Sequence, residues 1–440
     1  MTTHAHTAVS PVDPLSPVVS LYVHVPFCRA RCDYCDFDTV TGVESLIPAY
    51  AEALAKELRA AAEIWRSVTV STVYVGGGTP SLLPLRVVAD LVDTLEDALG
   101  LGQCEEFSFE ANPGTVSTDY LQGLRLLGVD RLSLGVQSAH DAELRRLGRI
   151  HRWGDAVRAV ESAREAGFEN VSLDLLFGVP SQSLKRWKET LNSALELEPD
   201  HLSLYGLTIE EGTPLAERIR RGDAANVGDE ASAAMFEWAE ARLADAGFFH
   251  YEISNWARAG TSPLGEDAQW WPENAADDLN TVVSEGITGR VCHHNLTYWR
   301  NRPWLGLGAA AHSWVPADLL SGTPSSATER HGGERWANPT DPTRYIDAVL
   351  GAEGFPCPPH EVEPIDRRLA MGETMMLGLR LAEGVRAQRF EERFGSPLAD
   401  VFGGELESLQ DLGLVTWDGV VARLTARGRL LGNRVFERFV

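Results

Sequence analysis

The sequence predicts an α/β protein: an incomplete (β/α)6 barrel followed by a C-terminal α+β extension and a winged-helix-like module. Three observations predict it. Six short β-rich runs, "LYVHV", "STVYVGG", "EFSFEAN", "DRLSLGV", "NVSLDLLFG" and "HLSLYGLT", lie between Leu21 and Thr208. Between them fall residues 51–64, 85–99, 141–147, 153–166 and 184–197, where apolar residues recur at three and four as amphipathic helices require. After residue 208 this alternation stops. Repeated strand–helix units imply a parallel sheet with right-handed crossovers, and six units leave a barrel open on one side.

Taken in order, residues 1–18 contain no Lys or Arg and no continuous apolar core, so a disordered polar tail is expected rather than a secretion signal. Residues 19–210 form the partial barrel, and its strands end in Gly, Cys, Glu, Gln or Asp, at the end where such folds gather their chemistry. Residues 211–340 extend it with strand-like pieces at "FFHYEIS" and at the Gly-rich "WLGLGAAAHSW". Between these, residues 257–290 are Gly-, Asp- and Ser-rich without periodicity and read as a flexible surface insertion. Residues 341–440 read as helices, a hairpin turning at Asp418-Gly419, and a last helix, which is the winged-helix-like order.

Composition excludes several classes. A formal net charge of −24 repels phosphate backbones and anionic lipid, so nucleic acid is not an expected partner. No apolar run approaches the roughly eighteen residues of a membrane span, and the cytoplasm is the expected compartment.

Three of the six cysteines, Cys28, Cys32 and Cys35, stand together as CxxxCxxC. The others, Cys104, Cys292 and Cys357, are far apart, which is no disulfide framework and leaves the trio reduced and available to metal. A closed structural zinc site needs four ligands and commonly two thiol pairs, neither of which is present in the run. A cubane 4Fe–4S cluster fits better: three thiolates hold three irons and leave the fourth open to an exchangeable ligand.

CxxxCxxC after a first strand, with "GGGTP" at residues 76–80 after the second, resembles the radical S-adenosylmethionine (SAM) superfamily. The resemblance implies that SAM chelates the open iron and that an electron from the cluster cleaves it to a 5′-deoxyadenosyl radical. The segments "YVHVPFC", "GGGTPSLL", "FEANPGT", "RLSLGVQS", "LGRIH" and "SLDLLFGVP" narrow it to the branch of oxygen-independent coproporphyrinogen III dehydrogenases and HemW-type haem chaperones. Carried over on matching positions, Tyr22, Gly77, Gly78, Thr79, Glu110, Gln137, Arg149 and Asp174 are the implied SAM contacts. Their types suit that role. Glycines admit a ligand to the backbone, Glu110, Asp174 and Gln137 pair with hydroxyls, and the Arg149 fork matches a carboxylate. Any one of these residues alone reads as a turn or a solvated charge; their ordered recurrence after successive strands carries the reading.

Within that branch, an oxidoreductase and a haem carrier compete. The dehydrogenases typically continue the cysteine run as CxxxCxxCxC, where this chain has Phe37, and begin with a longer N-terminal segment. "HNLTYW" matches the HNxxYW motif of HemW-type proteins, implying haem contact by His294, Asn295, Tyr298 and Trp299, with Cys292 and His293 as neighbouring alternatives. An imidazole can ligate haem iron and the rings offer flat apolar surface. Met371, Met375 and Met376 read as core packing. The resemblance thus implies a haem chaperone with a 4Fe–4S cluster, SAM and haem. Its expected partners are haem-accepting proteins, membrane respiratory enzymes among them, an electron donor and a second copy of itself. The alternative is coproporphyrinogen III dehydrogenase activity.

Overall fold

The computed structural model of the chain describes residues 18–65, 68–258, 290–316, 319, 332–353, 358 and 361–440. The tail at 1–17, most of the insertion read at 257–290, and Cys357 lie outside the described residues.

Six parallel strands, β1 (Val18–Val25), β2 (Thr69–Gly77), β3 (Glu106–Ala111), β4 (Arg131–Gln137), β5 (Asn170–Phe177) and β6 (His201–Gly206), follow one another in the sheet in chain order. All six coincide with the β-rich runs of the sequence. The sheet continues past both ends. The antiparallel pair β7 (Phe248–Glu252) and β8 (Asn255–Arg258) adds to β6. On the other side β9 (Trp304–Leu307) joins β1 in parallel, and β10 (His312–Pro316), β11 (Gly333–Ala337) and β12 (Glu363–Ile365) follow antiparallel. The order β12-β11-β10-β9-β1-β2-β3-β4-β5-β6-β8-β7 leaves its two edges unpaired with each other, so the barrel is open.

Period-two alternation sorts the strands into two faces. The outward residues, among them Leu21, Val23, Val73, Val75, Phe107, Phe109, Leu132, Leu134, Leu173 and Leu202, are buried in one core beneath the helices. That layer is formed by α1 (Ile47–Ile64), α2 (Leu85–Leu99), α3 (Thr118–Leu126), α4 (Asp141–Arg146), α5 (Trp153–Glu165), α6 (Leu184–Leu195), α7 (Pro214–Arg220) and α8 (Asp229–Asp245). Ser117 and Ser183 cap α3 and α6 by accepting from the backbone three residues on, which fixes where those helices begin. Buried Trp187 fastens α6 to α8 by donating its indole N–H to the Met235 carbonyl at 2.9 Å.

The inward face is polar. Ser20, Thr72, Glu106, Ser108, Arg131, Ser133, Ser172, His201 and Ser203 are all buried there, tied by short hydrogen bonds such as Thr72 to Ser20 at 2.8 Å. A concave surface of this kind binds polar groups; it is not a packed apolar barrel core.

Beyond the sheet lie α9 (His293–Trp299), α10 (Pro342–Gly351) and a C-terminal module with its own core. The module comprises α11 (Arg367–Gly378), β13 (Val385–Arg386), α12 (Ala387–Phe394), α13 (Leu398–Asp411), the hairpin β14 (Val415–Trp417) and β15 (Val421–Leu424), α14 (Ala426–Leu430) and α15 (Gly432–Phe436). The three strands form a small separate sheet. Met371 and Met375 are buried in the module core and Met376 packs against it, the packing role read from their helical spacing.

Candidate cofactor site

A cavity of about 380 Å³ opens at the carboxyl ends of the parallel strands. Cys28, Cys32 and Cys35 line it on a loop leaving β1. Asp33 anchors that loop: its N–H donates to the Leu147 carbonyl at 3.0 Å, its carbonyl accepts from Leu215 at 2.8 Å, and its carboxylate accepts from Arg218 at 2.8 Å. Nothing local in the sequence announces this anchor, because Arg218 comes from α7, far along the chain. Among the described residues no three His, Cys, Asp or Glu side chains converge as ligands of a single ion. A cubane places each thiolate on its own iron and needs no such convergence.

The loop after β2 approaches the cysteines closely. A Cβ at Gly78 would lie 2.8 Å from the Phe27 carbonyl oxygen and 2.9 Å from Cys28 Sγ, so only glycine fits. Gly77 adopts φ +113 beside the His24 ring and offers its N–H to Glu110 at 3.1 Å. Thr79 Oγ1 stands 3.6 Å from Cys28 Sγ. Burial raises the Cys28 and Cys35 thiols above their ordinary pKa, a penalty that bonding to a metal cation reverses.

Glu110, at the end of β3, is pushed up to about 7 by burial and accepts from the Tyr74 hydroxyl at 2.7 Å. Asp174 on β5 is also raised by burial while accepting from Ser133 at 3.1 Å. Gln137 lies at a register shift between β4 and β5 with φ 68, a left-handed conformation that a non-glycine residue adopts only where its surroundings demand it. Arg149 donates to the Gly135 carbonyl at 2.7 Å, to Asn112 Oδ1, and towards Cys32 Sγ at 3.6 Å. Burial alone would lower its pKa, but Tyr34 and Cys32 raise it. Its fork is therefore largely engaged by the protein, with the Cys32 sulfur beside it.

Seven of the eight implied SAM residues, Gly77, Gly78, Thr79, Glu110, Gln137, Arg149 and Asp174, line this one cavity. Tyr22 does not. It sits one layer deeper, with its hydroxyl 3.0 Å from His24 Nδ1 and its ring beside Tyr74. The sequence reading missed Tyr34, Asn112, Ser133 and Tyr205, which also line the cavity. Strict polar alternation along the strands was the available signal for Ser133 and Tyr205; none marks Tyr34 or Asn112.

HNxxYW lies elsewhere. Helix α9 plugs the barrel interior at the opposite, amino-terminal end of the strands, with the His293 and His294 N–H groups donating to Glu106 at 2.8 and 3.2 Å. Thr72, its partner on β2, precedes Gly77 by five residues, or about 16 Å of strand. His294 is buried and both ring nitrogens are engaged, Nδ1 with Thr72 at 2.8 Å and Nε2 with the Tyr298 hydroxyl at 2.9 Å. Burial pushes its pKa down to about 3, so the ring is neutral. In this conformation it presents no nitrogen to an iron. Asn295 is half-buried, Tyr298 packs edge-on to Trp304 at 5.0 Å, and Trp299 lies under Arg380. Cys292 is fully buried, and burial raises its thiol. One residue joins the two ends: Tyr74 donates to Glu110 while its ring stacks on His294 at 5.1 Å.

Residues 22–194 match the radical SAM superfamily and residues 365–431 the HemN C-terminal domain. A Bacillus subtilis protein named heme chaperone HemW is 34% identical over 423 residues, covering 96% of this chain and 99% of that relative. The chain belongs to the HemW family of radical SAM proteins. A Mycobacterium tuberculosis relative of the same name is 35% identical over 94% of this chain and 93% of its own length. Escherichia coli coproporphyrinogen III oxidase (HemN), described as a radical SAM enzyme, shares the fold with a TM-score of 0.74 over 98% of this chain and 91% of its own, at 23% identity. Radical SAM membership implies a 4Fe–4S cluster and SAM. The cavity suits them: three thiols line it, a glycine cradle lies against Cys28, and β3 to β6 each present a hydrogen-bonding side chain, Glu110, Gln137, Asp174 and Tyr205. No described helix is long and apolar enough to cross a membrane.

Proposed function

We propose that this chain is a cytoplasmic haem chaperone that binds haem and passes it to haem-accepting proteins. The observation that carries the reading is its near-full-length kinship, at 34% identity, with a relative named heme chaperone HemW. Phe37 supports it. Where the dehydrogenases place a further cysteine, this chain sets a ring that is 63% exposed at the cavity mouth, an apolar contact rather than a thiol.

Cys28, Cys32 and Cys35 would hold the cluster, and Gly77, Gly78, Thr79, Glu110, Gln137 and Asp174 would surround SAM. The cluster, when bound, supplies an electron that SAM can accept. Arg149 lies against Cys32, where a fixed cation favours the reduced form of a neighbouring iron centre. Glu110, near neutral pKa, is an acceptor or donor according to its protonation, and Asp174 accepts from hydroxyls. His294 would reach haem only after leaving Thr72 and Tyr298, so haem contact at HNxxYW requires α9 to move or falls to Trp299 and Tyr298. The proposed division is a barrel at 19–210, its extension at 211–340 and the C-terminal domain at 341–440. An electron donor and a homodimer complete the expected assembly.

An anaerobic haem titration followed by absorbance, run beside a coproporphyrinogen III assay on the same reconstituted sample, tests the reading. Saturable haem binding without porphyrinogen turnover is expected. Turnover in a sample that binds no haem transfers the assignment to the dehydrogenase.

A further inference from the structure

A second cavity, of about 290 Å³, lies between α15 and the turn following β7. Ile253, Leu431 and Phe436 give it an apolar wall, and Arg380, Arg429 and Arg434 also line it. The three arginines are in different circumstances. Arg429 is engaged, with Nη2 and Nε 2.8 and 3.0 Å from Glu240 Oε1. Arg380 packs against two rings, its guanidinium carbon 4.5 Å from the Trp299 centroid and 5.2 Å from that of Phe436. Its guanidinium makes no hydrogen bond or ion pair among the described residues, and Nε is buried without a partner. Arg434, exposed at the rim, has no ion pair among the described residues either.

Rings packed on a guanidinium leave its N–H edge as the recognition surface, and that edge matches a carboxylate. Glu252 is near enough to act on Arg380 through its charge but makes no ion pair with it, and its two oxygens already accept from Ser254 N–H at 3.1 Å and from Asn255. A partly buried donor edge without an acceptor is costly in a folded protein. Burial also lowers the Arg380 pKa, and the charge of Glu252 offsets that only in part. The apolar wall beside it argues that the anion comes on a hydrophobic body.

We propose that this cavity binds the carboxylate of an amphipathic ligand, received by Arg380 and Arg434. Resting on the haem-chaperone reading, that carboxylate is a haem propionate. The last residue of HNxxYW then has a defined part: Trp299 props Arg380 for the acid edge of the cargo and coordinates no iron.

The holoprotein is titrated with metal-free protoporphyrin IX, with its dimethyl ester and with haem, in wild type, Arg380→Gln and Arg434→Gln, with thermal melts as the folding control. Free-acid porphyrin is expected to bind roughly tenfold more weakly to each variant, the loss of a charge-assisted contact, and the ester to bind all three proteins equally weakly. Equal affinity of the free acid for wild type and both variants overturns the site while leaving haem binding to stand. Porphyrin binding that depends on Arg380 in a protein that takes no haem sinks the haem reading and keeps the cavity. Failure to bind any tetrapyrrole overturns both. If Arg380→Gln melts early, Arg434→Gln carries the test from the exposed rim.

Discussion

Gly78→Ala puts the geometry of the three-cysteine loop to a direct test. The new methyl carbon would lie 2.8 Å from the Phe27 carbonyl oxygen, 2.9 Å from Cys28 Sγ and 3.0 Å from the Pro26 carbonyl carbon. Comfortable contacts begin near 3.5 Å, so each must open by about half an ångström or more. Two of the three partners are backbone, which leaves the Cys28 side chain as the softest element to give way. The overpacking should destabilise by about 1–3 kcal/mol, measurable by urea denaturation. Displacing Cys28 should also reduce iron from about four per chain after reconstitution. Gly403→Ala is the control. No atom lies within 4 Å of its added Cβ, and removing a glycine from the interior of α13 should stabilise by about 0.5–1 kcal/mol. Full iron loading and an unchanged urea midpoint in Gly78→Ala would refute the reasoning.

Three further outcomes are expected. Replacing Cys28, Cys32 and Cys35 together by Ala should abolish iron incorporation and its visible absorbance; retained iron would mean that other residues hold the cluster. Arg149→Met removes the cation near Cys32 and should lower the cluster's reduction potential by roughly tens of millivolts, read by redox titration with EPR, and an unchanged potential counts against a direct effect. Glu57 on α1 is raised to about 7 by burial, although it accepts from Gly308 N–H, Asn338 and the Tyr345 hydroxyl. Its folded pKa exceeds its unfolded value, so the native state holds the extra proton. The contribution of this group alone should therefore be fully present below about pH 4.5 and fall by about 3 kcal/mol in all as pH rises through that value to 7. Glu57→Gln should flatten that slope in urea titrations at several pH values, and a slope identical to wild type would point to another group.

The six parallel strands were legible because each is a compact β-branched and aromatic run between amphipathic helices, a signal contained within ten residues. The cysteine site was equally legible, since CxxxCxxC and GGGTP are contiguous patterns whose strand ends the sheet then brings together. What escaped was decided by distant pairing. Strand β9 joins β1 across more than 270 residues of chain, and no local periodicity reports that. The anchoring of Asp33 by Arg218 is of the same kind. Tyr22 and His294 carry residue types that suit ligand contact, yet packing turns both inward, one layer or more from the cavity. The polar alternation inside the strands is present in the sequence, but the apolar residues that define a strand there belong to the outward face and say nothing of what the inward ones surround.

Tyr74 links the two ends of the barrel interior through one hydrogen bond and one ring stack. Were haem to draw His294 out of its stack, the phenol that steadies Glu110 would lose its support, and the nucleotide pocket at the far end would register the departure. Such communication has to run equally in both directions: whatever factor one cargo imposes on the affinity of the other is returned unchanged.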